Sequence, residues 1–146
     1  MFVEAILSAA HARLVTIPKD APVLEAARLL GGGTDLLVVC DEVGRLVGVI
    51  TKTDVVKQIG GCQGSGCTTL LGLAMTQNVL FCRAGDVLET LWSDMKARGL
   101  KNIPVVGAAN KPIGVLNARD MLQALLRESV NEEAMMRDYV MGVGYR

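Results

Sequence analysis

Apolar residues in this chain come in an order that is written twice. Val15 to Ile17 is a short apolar run, and Val23, Ala26, Ala27 and Leu30 then recur at helical spacing, with Pro22 in the first turn, where its missing N–H is harmless. LLVVC (36–40) and LVGVI (46–50), parted by the turn DEVGR, are short and β-branched and predict buried strands. A helix is predicted from near Thr51. The second copy opens with Val79 to Phe81. A helix follows, with Asp86 as N-cap, Glu89 completing a capping box, Val87, Leu91 and Met95 on its apolar face, Arg98 near its end and Gly99 to close it. The runs IPVVG (103–107) and PIGVL (112–116) flank the turn AANKP, and a last helix is predicted from near Asn117. Setting residues 15–30 over 79–94 gives an offset of 64, whereas the glycines of GVITKTD and GVLNARD are 114 − 48 = 66 apart. By that alignment, Val23 to Val38 is 15 steps and Val87 to Val105 is 18, so the first copy is three residues short beside Gly31-Gly32-Gly33.

Each copy is a β-α-β-β-α unit. One such unit leaves an apolar sheet face open, and two packed together close it. The fold class expected is therefore α+β, two repeats related by a pseudo-two-fold axis. Residues 1–59 form the first repeat, 60–72 a surface linker, 73–128 the second repeat and 129–146 a tail. Met135, Met136, Tyr139 and Val140 lie on one face of a possible short helix in that tail. Packing on the chain's own core explains such a stripe. Self-association explains it better, because an apolar face outside a closed core needs a cover, and a homodimer is expected.

The remaining composition narrows the function. Of 146 residues, 51% are hydrophobic and the mean hydropathy is +0.37, so the chain is not disordered. Fifteen basic residues balance fifteen acidic ones, which leaves no electrostatic footprint for nucleic acid. No apolar run reaches the length of a membrane span, and the N-terminal stretch lacks a basic residue before its apolar patch, so a soluble, cytoplasmic protein is expected. Cys62 and Cys67 sit in the loop GGCQGSGC with spacing too wide for an ordinary zinc pair; they read as loop thiols, with Cys40 and Cys82 buried. There is no nucleophile–base pair, metal cluster or Walker loop, so neither a metal nor catalysis is expected.

Taken in order and twice over, MTQNV (75–79), LKNIPVV (100–106), LLVV (36–39), GVITKTD and GVLNARD resemble the CBS domain, present as a tandem pair. The resemblance covers residues from about 10 to about 128. It implies a flat two-fold disc, often stacked into dimers. Two clefts would bind adenosine compounds (AMP, ADP, ATP, sometimes S-adenosylmethionine or NAD), in a regulatory rather than catalytic role.

Two readings of the junction Thr51-x-x-Asp54 stand. It is a capping box, and Asn117-x-x-Asp120 is a close variant. It is also a helix N-terminus that suits a phosphate, with a carboxylate one turn in. The resemblance implies that Thr51 meets phosphate or ribose, that Asp54 accepts from both ribose hydroxyls and that Thr53 adds a hydroxyl. Val49, Thr76, Leu80, Leu100, Lys101 and Asn102 complete this preferred cleft, with aliphatic side chains around the adenine and Lys101 reaching a phosphate. The second cleft would use Val115, Asn117, Arg119 and Asp120 against the segments His11 to Thr16 and Thr34 to Leu36, with His11, Thr16, Thr34 and Asp35 as its side chains. It departs from the pattern, because Asn117 stands where a hydroxyl is usual and the adjoining helix is shortened, so it ranks second. The function expected is a stand-alone sensor with no obligatory cofactor. It would bind an adenosine nucleotide and signal to an effector protein that the sequence does not name. The alternatives are a structural assembly module with vestigial clefts, or a binder of S-adenosylmethionine or NAD.

Overall fold

The structure, a computed structural model, describes residues 1–61 and 69–144, with side chains to residue 137. Cys62 and Cys67, and the side chains of Tyr139 and Val140, lie outside the described residues.

In the first copy, β1 (Thr16–Pro18) pairs parallel with β2 (Leu36–Cys40), which pairs antiparallel with β3 (Leu46–Thr51). Helices α2 (Val23–Gly31) and α3 (Lys52–Gly60) cover this sheet. In the second copy, β4 (Asn102–Val106) and β5 (Pro112–Asn117) pair antiparallel, flanked by α5 (Leu88–Arg98) and α6 (Ala118–Gly144). The strand predicted over 79–81 is reduced to one parallel bridge, Cys82 to Val105. The fold is the α+β pair that the pattern predicts.

An N-terminal arm, made of the 3-10 turn Val3–Ile6 and the helix α1 (Leu7–Ala12), packs on the second copy. The segment around α4 (Leu71–Ala74) does the same on the first. The exchange is near-symmetric. Val23 N–H donates to Thr69 O and Leu71 N–H to Ala21 O, at 2.8 and 2.9 Å. Leu88 N–H donates to Met1 O and Val3 N–H to Asp86 O, at 2.8 and 3.0 Å. Both Leu71 and Val3 are completely buried.

These bonds correct the predicted cap of α5. A carbonyl of the arm takes the first helical N–H, the N-cap position is Val87 with no side-chain cap, and the Asp86 carboxylate accepts from Arg83 N–H at 2.9 Å instead. They also correct the alignment. Val23, Ala26 and Leu30 are buried where Leu88, Leu91 and Met95 are buried, so the helices align at 88 − 23 = 65, while Val87 is 44% exposed. The hairpins align at 66, because Leu36 faces Thr51 as Asn102 faces Asn117. The first copy is thus one residue short (66 − 65), not three. Of the glycine triplet only Gly33 has positive φ (103°), and it matches Gly99 (φ 66°), which closes α5.

Each copy has its own apolar core, and a third cluster joins them: Leu36, Val38, Cys40, Val49 and Val115. The predicted short tail helix is instead the continuation of α6, which runs unbroken for 27 residues, about 40 Å. Met121 and Ala124 anchor it in the second core; beyond them Leu126, Val130, Met135 and Met136 are exposed.

Candidate functional site

The larger cleft lies between the copies, at the end of β3. Val49 is buried in the cluster joining the copies and holds the strand in place. Thr51 ends the strand in extended backbone (φ −120°, ψ 172°) and caps α3. Its hydroxyl accepts from Asp54 N–H at 3.4 Å, and the Asp54 carboxylate accepts from Thr51 N–H at 3.0 Å, so the predicted capping box is formed. The carboxylate also accepts two hydroxyls, Thr51 Oγ1 on one oxygen at 3.2 Å and Thr76 Oγ1 on the other at 3.1 Å.

Thr76 arrives from the chain that crosses β3. Val49 N–H donates to the Thr76 carbonyl at 3.0 Å, and the Val49 carbonyl accepts from Thr76 N–H at 2.9 Å. The crossing needs Gly48, because a Cβ there would sit 2.6 Å from Met75 Sδ and 2.8 Å from Thr76 O. At the matching position in the second copy, Gly114 lies under Ala10 of α1, whose carbonyl carbon would be 2.9 Å from an added Cβ.

All nine residues predicted for this cleft (Val49, Thr51, Thr53, Asp54, Thr76, Leu80, Leu100, Lys101 and Asn102) line one cavity of about 690 Å³. The sequence reading missed Lys52 and Arg98 on its wall. Arg98 had a signal: it stands just before Gly99 at the end of α5, which points to the cleft. Asp35 and Asn117, predicted for the second cleft, line this cavity too; the Asn117 amide donates to Asn102 Oδ1 at 3.0 Å across the hairpin. The wall thus carries the cations Lys52, Arg98 and Lys101 against the acids Asp35 and Asp54.

The second cleft is smaller, about 230 Å³, and of its eight predicted residues it gathers Thr34, Asp35 and Val115. Thr16 is paired in β1, and His11 Nδ1 lies 3.2 Å from Ile113 O, bracing α1 on β5. Arg119 is exposed, with its N–H donating to Asn117 Oδ1 at 2.9 Å. Asp120 does not close a box with Asn117. Its two oxygens accept from Arg13 Nε and Nη2, at 2.6 and 3.1 Å. That hydrogen bond holds the Asp120 carboxyl below its ordinary value and raises the Arg13 guanidinium. Sequence reasoning did not single out Arg13, since only the folded arm brings it to Asp120.

Cys40 and Cys82 are buried as predicted, and burial pushes the Cys82 thiol up to about 12. Among the described residues no group of His, Cys, Asp and Glu could hold a metal ion, and no helix is long and apolar enough to cross a membrane.

The chain is 24% identical over 115 residues to L-aspartate semialdehyde sulfurtransferase of Methanosarcina acetivorans, covering 78% of this chain and 22% of that protein. It therefore spans about a fifth of that relative's length. Among solved structures, the CBS-domain containing protein ATU1752 from Agrobacterium tumefaciens superposes with a TM-score of 0.72 at 26% identity, over 85% of this chain and 98% of that one. The CBS domain pair of protein MJ0100, solved with 5′-methylthioadenosine and S-adenosyl-L-methionine, gives a TM-score of 0.71 at 23% identity, over 88% and 98%. The CBS domain as a family matches residues 3–61 and again 71–127, and the chain belongs to that family as a tandem pair.

Proposed function

We propose that this CBS pair binds an adenosine compound in the larger cleft and, through that binding, regulates an interacting protein. One observation carries the reading: the Asp54 carboxylate, on the cavity wall, already accepts two hydroxyl donors, one on each oxygen. A ribose presents two adjacent hydroxyls and replaces Thr76, and Thr51 where needed, without leaving the carboxylate short of donors. The positive end of α3 and the cations Lys52, Arg98 and Lys101 favour a phosphate tail, hence AMP, ADP or ATP.

A second reading, an adenosine thioether or sulfonium, is favoured by the ligands of the MJ0100 pair. The acid Asp35 on the same wall suits a cationic tail. The chain is read as a homodimer whose interface includes the exposed apolar side chains of α6.

A thermal-shift panel of AMP, ADP, ATP, S-adenosylmethionine, 5′-methylthioadenosine and NAD tests the reading. A ligand at 100 times its Kd adds about 2.7 kcal/mol to stability. A panel with no shift in any member leaves a structural assembly module as the function.

A further inference from the structure

Beside the second cleft, the carboxylate that matches Asp54 is already paired within the chain. Asp120 stands 120 − 54 = 66 residues after Asp54, the same step that relates the two hairpins. In the larger cleft, the partner of the carboxylate is a neutral hydroxyl from Thr76. Ala10 stands at the matching place (76 − 66 = 10) and has no donor to offer. Arg13, on the residue that ends α1, takes over and engages both carboxylate oxygens. It also lines the 230 Å³ cavity, where Asp35 adds a second attraction for its charge.

We infer that the Arg13–Asp120 pair is an autoinhibitory latch that closes the second cleft, so that the chain takes one adenosine ligand rather than two. A ribose hydroxyl displaces another hydroxyl at little loss. It does not displace a guanidinium that makes two charge-assisted bonds in fork geometry. The arm that carries Arg13 is fastened to the same copy, by His11 on Ile113 and by the backbone bonds of residues 1–4 to 84–88. The latch therefore holds its position without a ligand. The pair is open to water, with side chains 40% and 21% exposed, but its bidentate geometry is of the kind that does contribute, by an amount that a domain of this size loses without unfolding. Its removal is expected to change occupancy and leave the fold standing.

The inference rests on the proposed reading in one respect, the use of a carboxylate to hold ribose. Calorimetric titration of the whole chain, of Arg13→Gln and of Asp120→Ala, with AMP, ATP and S-adenosylmethionine in turn, separates the two. The latch expects one site per chain in the parent, two in Arg13→Gln and one in Asp120→Ala, which frees the arginine but removes the ribose acceptor. Two sites in the parent, or one in the parent and still one in a folded Arg13→Gln, overturn the latch and leave the larger cleft as proposed. No site in the parent and one in Arg13→Gln sustains the latch and overturns the larger cleft. No binding in either overturns both. Should Arg13→Gln fail to fold, Arg13→Lys, which keeps the charge without the fork, is expected to show the second site, and a folded Arg13→Lys with one site overturns the latch.

Discussion

Replacing Asp54 separates the two roles its carboxylate plays. In Asp54→Ala, Thr51 N–H loses its acceptor and Thr76 Oγ1 loses its partner. Loss of such a cap costs about 1 kcal/mol, and in a chain of this size that lowers the melting temperature by roughly 3–4 °C. A hydrogen bond to a charged group contributes about 1.5–3 kcal/mol, so losing one strong ribose contact weakens binding roughly tenfold to a hundredfold. Asp54→Asn divides these effects. Its amide oxygen still accepts from Thr51 N–H, so most of the stability returns. Its NH₂ group faces the cleft as a donor where a ribose hydroxyl also needs to donate, so affinity does not return. Melting curves and calorimetric titration of the two variants, with a ligand that shifts the parent, decide the matter. If Asp54→Asn binds as the parent does, or if both variants lose stability without losing affinity, the carboxylate is a helix cap and the ribose assignment is wrong.

Three further outcomes are expected. Gly48→Ala drives a methyl into Met75 and the Thr76 carbonyl, an overpacking that costs about 1–3 kcal/mol and loosens the crossing that presents Thr76. Gly60→Ala, with nothing within 4 Å, is the neutral control, and equal melting temperatures for the two variants would count against the crossing. The Asp120 carboxyl is depressed by Arg13, so its stabilisation is complete above the ordinary carboxylate value near pH 4 and is lost as pH falls through the lower folded value. Asp120→Asn should therefore flatten the acid limb of stability below about pH 4, and superimposable limbs would show that the pair contributes nothing. Truncation after Glu128 keeps the buried Met121 and Ala124 but removes the exposed apolar residues from Val130 onward. Sedimentation should shift from dimer to monomer, and an unchanged mass would place the interface elsewhere.

Most of the fold was legible because burial is written into local pattern. The β-branched runs 36–40 and 46–50 have no other way to hide their side chains, and no Gly or Pro interrupts residues 118–141. The break assumed at Ser129 had no residue to cause it. What misled was a choice between neighbours. Val87 and Leu88 are both apolar, and only the arm's bridge from Phe2 to Val87 shows which of them turns inward. The larger cleft was legible because its residues come from short segments that the repeat relates to each other. Arg13 falls within the segment 11–16 expected at the second cleft, but its pairing with Asp120 was not legible, since that partner is 107 residues away and the two meet through an arm packed on the other copy.

The two halves differ where difference is cheap in packing terms. Pairs that hold the backbone match: Gly33 and Gly99 in positive φ, Gly48 and Gly114 under crossing chains, Val49 and Val115 in the joining cluster. At Gly48 and Gly114 an added carbon would lie at 2.6 to 2.9 Å from its neighbours, so a larger side chain there forces the neighbouring chain to move. The pairs facing the clefts do not match. Lys101 stands against Asp35, Asn102 against Leu36, Thr51 against Asn117 and Thr76 against Ala10, each 66 residues apart. Apart from Leu36 and Ala10, which are buried, these side chains end in open space or in hydrogen bonds, so exchanging them alters the charge and donors of a cleft while the scaffold stays as it is. The lysine-bearing copy thus presents a cation where the other presents an acid, and a hydroxyl where the other must bring in an arginine. Two hairpins in matching register therefore border one cleft whose carboxylate meets neutral hydroxyls and one whose carboxylate is already held by a charge.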